Sequence, residues 1–278
     1  NITLFGVSAK YIDALRKSKA NLKYKYKLSK LRTICSTGSP LSNDGFKYVY
    51  QNIKKNVHLA SISGGTDIVS CFVLGNLYQS VKLGEIQNKG LALDVDIFDD
   101  KGNSLRNTKG ELVCKNPFPS MPLKFWNDKN DIKFKNAYFS RFKNIWHHGD
   151  YAEVKKTGGF IIHGRSDTTL NPGGVRLGTA EIYSEVEKFD EIKESIVVGQ
   201  SWDNDVRIIL FVVMNNNFEL TANLAKKIKL RIKNNTSPRH VPSKIIVVKD
   251  IPRTKSGKIV ELAVKNTIEG TKLGNKEA

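Results

Sequence analysis

At 278 residues and 40% hydrophobic content the chain has room for about two domains with cores of their own, which excludes a disordered tail. Cys35, Cys71 and Cys114 stand far apart with no C-x-x-C or His-Cys cluster, so a disulfide framework or structural zinc is not expected, and a reducing cytoplasm fits. Lysine and arginine number 45 against 27 acidic residues, a formal charge of +18 that points to polyanionic partners.

The chain opens at Asn1 directly on a strand pattern, Ile2-Thr3-Leu4-Phe5-Gly6-Val7-Ser8, so an upstream part is expected to be missing. The pattern then predicts a helix over 8–20, a strand over 31–35, a helix over 43–53 with an Asn/Ser-type start, and a strand over 57–61. Strand-helix-strand alternation implies a mixed or parallel α/β sheet. From Leu91 the texture turns all-β: Val95 and Ile97 alternate with acids, 99–103 makes a turn and 110–114 returns as a strand. After the Thr157-Gly158-Gly159 turn comes a short strand over 160–163. Beyond it the pattern is α+β: helix 180–188, strands 195–199 and 208–214, helix 222–233, strand 244–249 and a last helix after Lys258. The longest apolar run, 208–214, falls far short of the about 18 to 20 residues of a membrane-spanning helix and reads as a buried strand. The opening residues carry no signal-peptide pattern, and the basic tail from Lys272 is expected to fray.

Two loops that follow predicted strands, Ser36-Thr37-Gly38-Ser39-Pro40 and Ser61-Ile62-Ser63-Gly64-Gly65-Thr66-Asp67, lie where open α/β sheets bind ligands, although Ser/Gly loops are as readily plain turns. Asp150 closes Trp146-His147-His148-Gly149-Asp150, fifteen residues before Arg165 of Gly164-Arg165-Ser166-Asp167. His147 and His148 have no further ligands nearby for a metal site and read as structural. Arg165 and Arg176 offer the paired donors that suit phosphate, with surface ion pairing as the plain alternative. Near the end stands Ile251-Pro252-Arg253-Thr254-Lys255-Ser256-Gly257-Lys258-Ile259. The chain has no Walker motif, and it lacks the G-x-S-x-G and H-E-x-x-H signatures of hydrolases.

These segments together resemble the ribose-binding, hinge and catalytic-lysine motifs of the adenylate-forming acyl-CoA synthetases. The run GRSDTTLNPGGVRLGTAEIY and the continuation Val260-Glu261-Leu262-Ala263-Val264-Lys265 are most similar to the branch that acts on acetoacetate, and further matches extend over nearly the whole chain. The resemblance implies an α/β fold with a distorted β-barrel segment, followed by a small mobile α+β C-terminal domain. Residues 1–166 would be the C-terminal part of the large adenylate-binding domain, and 167–278 the mobile domain with the lysine loop.

It also implies roles. Gly38, Ser39 and Pro40 would meet adenine, with Ser61, Ile62, Ser63 and Gly65 in the same ATP/AMP site and Thr66 on the α-phosphate. Asp67 would hold Mg2+, where the family more often has Glu. Asp150 would accept from both ribose hydroxyls, Arg165 would reach the ribose and Arg176 the phosphate. Gly64, at a position that carries tryptophan in the acetate-specific branch, would open the acyl pocket to a larger acid, unless it serves only a tight turn with Gly65. Gly173 and Gly174 would line the CoA tunnel, Asp167 would be the hinge and Lys258 the catalytic residue.

The implied reaction joins acetoacetate to ATP, releasing pyrophosphate, and then passes the acyl group to CoA, releasing AMP. ATP, Mg2+ and CoA are required and no prosthetic group is expected. With the family's phosphate loop absent, the chain alone is expected to be inactive. The rival readings are a CoA ligase for another short or medium acid, a basic nucleic-acid-binding protein, or a noncatalytic module. The scattered lysines, without an aromatic RNA-binding motif, zinc finger or helix-turn-helix, favour a solvated surface and no nucleic-acid partner.

Overall fold

The structure, a computed structural model, describes residues 2–254 and 259–271. It divides into two compact units, Asn1–Ile162 and His163–Ala278.

The first unit opens with β1 (Leu4–Ser8), α1 (Ala9–Lys17), α2 (Leu22–Lys25), β2 (Thr33–Thr37), α3 (Asn43–Tyr48) and β3 (His58–Ser61). The three strands form a parallel sheet in the order β1-β2-β3, with Ser8 opposite Thr37 and Ser36 opposite Ser61 at its C-terminal edge. Parallel neighbours need a crossover, and two capped helices supply it. Ser8 Oγ accepts from Tyr11 N–H at 3.1 Å to start α1, and Ser42 Oγ accepts from Gly45 N–H at 3.1 Å to start α3. The helix predicted over 43–53 is α3 followed by a π-helical turn at Val49–Ile53. Ile12, Ile34, Phe46, Val49 and Leu59 form the core between sheet and helices.

Next comes a small antiparallel sheet of β4 (Ser63–Gly65), β5 (Ser70–Leu74) and β6 (Asn88–Lys89). β7 (Val95–Phe98), β8 (Gly110–Cys114), α4 (Ile132–Tyr138), β9 (Trp146–Val154) and β10 (Phe160–Arg165) follow. The strands order as β10-β9-β8-β7, so the all-β segment is an open sheet, and no closed barrel occurs among the described residues. Trp146, 2% exposed, anchors the core of this part: Tyr138 stacks on it at 3.7 Å, and Phe118, Phe134 and Phe139 meet it edge-on.

The second unit holds α5 (Thr179–Val186), β11 (Ile192–Trp202), β12 (Asp205–Met214), α6 (Ala222–Asn235), β13 (Lys244–Val247) and α7 (Glu261–Ile268). β11 and β12 pair antiparallel from Ile192/Met214 to Trp202/Asp205, and β13 joins β12 in parallel. The strands predicted over 195–199 and 208–214 are longer than their apolar runs, because Asp203 and Asn204 take φ of 51° and 60° and close the hairpin in a two-residue turn. On α6, Leu224, Ile228 and Ile232 recur every four residues and are buried in a core with Ile182, Val197 and Leu210.

Candidate functional site

In the first unit, both Ser/Gly loops leave the C-terminal edge of the parallel sheet. Gly38, at φ 84°, turns the chain out of β2 into exposed Ser39 and Pro40. Ser61 is 6% exposed at the end of β3, and the Ile62 N–H donates to the Ser36 carbonyl at 2.9 Å, tying one loop to the root of the other. β4 then delivers Ser63, whose hydroxyl donates to Asp150 Oδ2 at 3.3 Å. Asp150 sits 7% exposed within β9.

His148 and Asp150, two apart on β9, stand with His148 Nε2 3.8 Å from Asp150 Oδ2. The ring of His148 packs on Phe72 at 4.6 Å between centroids. Gly65 admits that ring, since a Cβ at this position would lie 2.7 Å from His148 Cε1. His147 instead pairs with buried Glu111 at 2.8 Å. Each histidine of β9 thus has a neighbour within the fold, and no cluster of three metal-ligating side chains occurs among the described residues.

Gly64 faces β5. A Cβ there would stand 2.1 Å from the Ser70 carbonyl oxygen and 2.6 Å from Cys71 Cα, so the close approach of β5 by itself demands glycine. Thr66 and Asp67 are exposed just beyond β4, and the Tyr138 hydroxyl donates to Asp67 Oδ2. One carboxylate beside a threonine hydroxyl does not cage a cation, but it matches Mg2+ that keeps phosphate oxygens and waters as its other ligands.

The second unit carries the remaining candidates in its first turns. Arg165 ends β10, with Nε 3.7 Å from Asp167 Oδ1, and both side chains are half exposed. Thr168, in the Ser166–Thr168 turn, donates to Glu261 Oε2 at 2.6 Å. Glu261 also takes the Tyr183 hydroxyl, and Tyr183 accepts from the Val197 N–H at 3.1 Å. Burial pushes the Glu261 carboxyl above its ordinary range, against the lowering effect of the Thr168, Tyr183 and Thr179 hydrogen bonds. Burial, and then the charge of Glu261, push the Tyr183 phenol well up. Gly173 and Gly174 form an exposed turn at φ 58° and 74°, and Arg176 follows just before Leu177, which pairs back to Leu170. Lys258 lies outside the described residues.

Residues 181–258 match the family model for the AMP-binding enzyme C-terminal domain. The acetoacetyl-coenzyme A synthetase of Rhizobium meliloti is 59% identical over 275 residues, which is 99% of this chain and 42% of that protein. The chain is a homologue of the acetoacetyl-CoA synthetases. The Xenopus tropicalis acetoacetyl-CoA synthetase is 46% identical over 279 residues, all of this chain and 42% of that one. Among solved structures, acetoacetyl-CoA synthetase from Streptomyces lividans superposes with a TM-score of 0.89 at 40% identity, covering 97% of this chain and 41% of that one. An anthranilate CoA ligase, at TM-score 0.80 and 18% identity over 95% of this chain and 49% of that one, shares the adenylate-forming fold. The chain thus spans about two fifths of the length of the acetoacetyl-CoA synthetases it matches.

Two features of this synthetase-like chain had no sequence signal. Tyr138 as the partner of Asp67 lies 71 positions away, and Glu261 is 93 positions from Thr168. Glu261 stands in the run Val260-Glu261-Leu262-Ala263-Val264-Lys265, where nothing local marks its carboxylate as enclosed.

Proposed function

We propose that this chain carries nucleotide, hinge and CoA contacts of an ATP-dependent acetoacetate-CoA ligase that works through an acyl-adenylate. The observation that supports this best is the meeting of Ser63 and Asp150, at 3.3 Å, from two motifs that the resemblance separately assigned to one nucleotide. The 59% identity to an acetoacetyl-CoA synthetase over nearly the whole chain favours acetoacetate over other acids.

In this reading the two domains are 1–166 and 167–278. Gly38, Ser39 and Pro40 face adenine at the sheet edge, with Ser61, Ile62, Ser63 and Gly65 beside them. Asp150 accepts the ribose hydroxyls, a task that suits a carboxylate already fixed by a neighbouring hydroxyl. Thr66 and Asp67 meet the α-phosphate and its Mg2+, which would offset phosphate charge. Arg165 and Arg176 add fixed guanidinium donors to the nucleotide.

An acetoacetate oxygen attacks the α-phosphorus, the bond to the β-phosphate oxygen breaks and pyrophosphate leaves. Lys258 stabilises the charge that develops on the phosphoryl oxygens. Rotation about Asp167 then withdraws Lys258 and brings in Gly173 and Gly174, past which the CoA thiol reaches the acyl carbon. The thiol proton is lost, the C–S bond forms and AMP departs with the electrons of the C–O bond. No protein nucleophile takes part, and we assign no prosthetic group.

Gly64 borders the acyl pocket, with its glycine also required by β5. The positive charge would speed encounter with ATP and CoA, themselves polyanions, with no nucleic-acid partner. No helix among the described residues is long and apolar enough to cross a membrane. The three cysteines are free thiols, and a cytoplasmic setting suits them.

The test is acetoacetate-dependent ATP–pyrophosphate exchange by an enzyme completed to the length of its relatives. Exchange with acetoacetate well above acetate or butyrate is expected. A clear preference for another acid would sink the substrate assignment, and salt-sensitive RNA or DNA binding that ATP does not compete would favour the nucleic-acid reading.

A further inference from the structure

The turn at Pro172–Gly174 is held from outside its own loop. The Gly173 N–H donates to both carboxylate oxygens of Asp205, Oδ1 at 2.8 Å and Oδ2 at 3.1 Å. Asp205 is the first residue of β12 and pairs with Trp202 across the hairpin. Its place is set by the tight turn at Asp203 and Asn204, and the guanidinium of Arg207 lies 3.6 Å from the Trp202 ring centroid, bracing the same tip.

The base of the loop is fixed separately. Leu170 and Leu177, both buried, exchange backbone hydrogen bonds of 3.0 and 2.8 Å. Between these two anchors sit adjacent glycines in the left-handed region, where a Cβ on either would meet nothing within 4 Å. Such a stretch loses its shape readily without a tether, because glycine has so many backbone states to visit. The Val206 and Gly173 N–H groups hold the Asp205 carboxyl below the usual carboxylate range, so the tether stays charged near neutral pH.

We propose that Asp205 is a positioning residue for thioester formation, holding the Pro172–Gly174 turn in the shape along which the thiol arm of CoA reaches the acyl-adenylate. This rests on the assignment of Gly173 and Gly174 to the CoA path. Asp205 acts through the backbone of Gly173 and not on CoA directly, since a carboxylate repels a polyanion.

Two arms separate the tether from the path. In the 278-residue chain, amide hydrogen exchange at Gly173 is followed by NMR in Asp205→Ala and Asp205→Asn. Losing a charge-assisted bond is expected to cut protection in the alanine variant about tenfold to a hundredfold, with partial recovery in the asparagine variant, whose amide oxygen still accepts. In the enzyme completed to the length of its relatives, Asp205→Ala should raise KM for CoA about tenfold while ATP–pyrophosphate exchange is unchanged.

Unchanged Gly173 exchange overturns the proposal and leaves the CoA-path reading standing. Faster exchange with an unaltered thioester step overturns the CoA-path reading, and the proposal with it. Equal loss of both half-reactions overturns it too, because Asp205 would then serve the fold as a whole.

Discussion

The hydroxyl of Ser63 meets the carboxylate of Asp150 at 3.3 Å across 87 positions of sequence. A strand of the small β4-β5-β6 sheet and a strand of the larger antiparallel sheet thus bring their polar side chains to one point. A buried carboxylate is costly unless donors meet it, and in the proposed reading ribose hydroxyls would join the Ser63 hydroxyl there.

Asp150→Ala in the completed enzyme is expected to raise KM for ATP about tenfold to a hundredfold, the usual worth of hydrogen bonds to a charged group. Ser63→Ala should have a smaller effect, and the double variant should fall short of the product of the two. Strict additivity in ATP–pyrophosphate exchange would show that the pair does not act together.

Lys258→Ala should slow adenylation about 10²- to 10³-fold, as expected for removal of one preorganised electrostatic contact. Supplied with synthetic acetoacetyl-adenylate and CoA, the same variant should form product at near the parent rate. Parallel loss of both half-reactions in a protein of unchanged melting temperature would remove Lys258 from its assigned role.

Gly64→Ala drives a methyl into the Ser70 carbonyl, which neither strand can relieve without parting. We expect a loss of about 1 to 3 kcal/mol in urea unfolding, the range of overpacked sites. For the same reason acyl selection is better read from the rates with acetate, butyrate and acetoacetate than from a bulky substitution at Gly64. Wild-type stability in Gly64→Ala would mean that β4 and β5 approach less closely.

Stability should depend on pH with opposite signs at two carboxylates. The Glu261 carboxyl titrates above its ordinary value in the fold, so the folded state holds the proton more tightly. Its contribution is full below the unfolded value and is lost as pH rises through the folded one. At Asp96, burial pushes the carboxyl up but is outweighed by hydrogen bonds from Ser104, Arg106 and the Ile97 N–H, leaving it lowered. That contribution is present above the unfolded value and is lost as pH falls through the folded one. Denaturant midpoints against pH should therefore lose part of the fall with rising pH in Glu261→Gln, and part of the acid-side fall in Asp96→Asn. Profiles that match the parent would contradict these shifts.

The sequence by itself determined many of the strands and helices, because apolar periodicity and helix caps are local: Ser42 before α3 and the Leu224, Ile228, Ile232 stripe of α6 can be read without the fold. Resemblance to the acyl-CoA synthetases, and not composition or periodicity, singled out Asp150, Arg165 and the turn at Gly173. Strand β9 was hidden, since it is buried along nearly all its length while carrying His148, Gly149, Asp150 and Glu153, and so has neither an apolar run nor an alternating pattern. Only the tertiary structure decided that Asp205 holds Gly173, that Glu261 joins Thr168 to Tyr183, and that the glycine at 64 answers to the backbone of β5. Each is a contact between distant segments, fixed by sheet register and close packing, and a single chain of letters carries no measure of that distance.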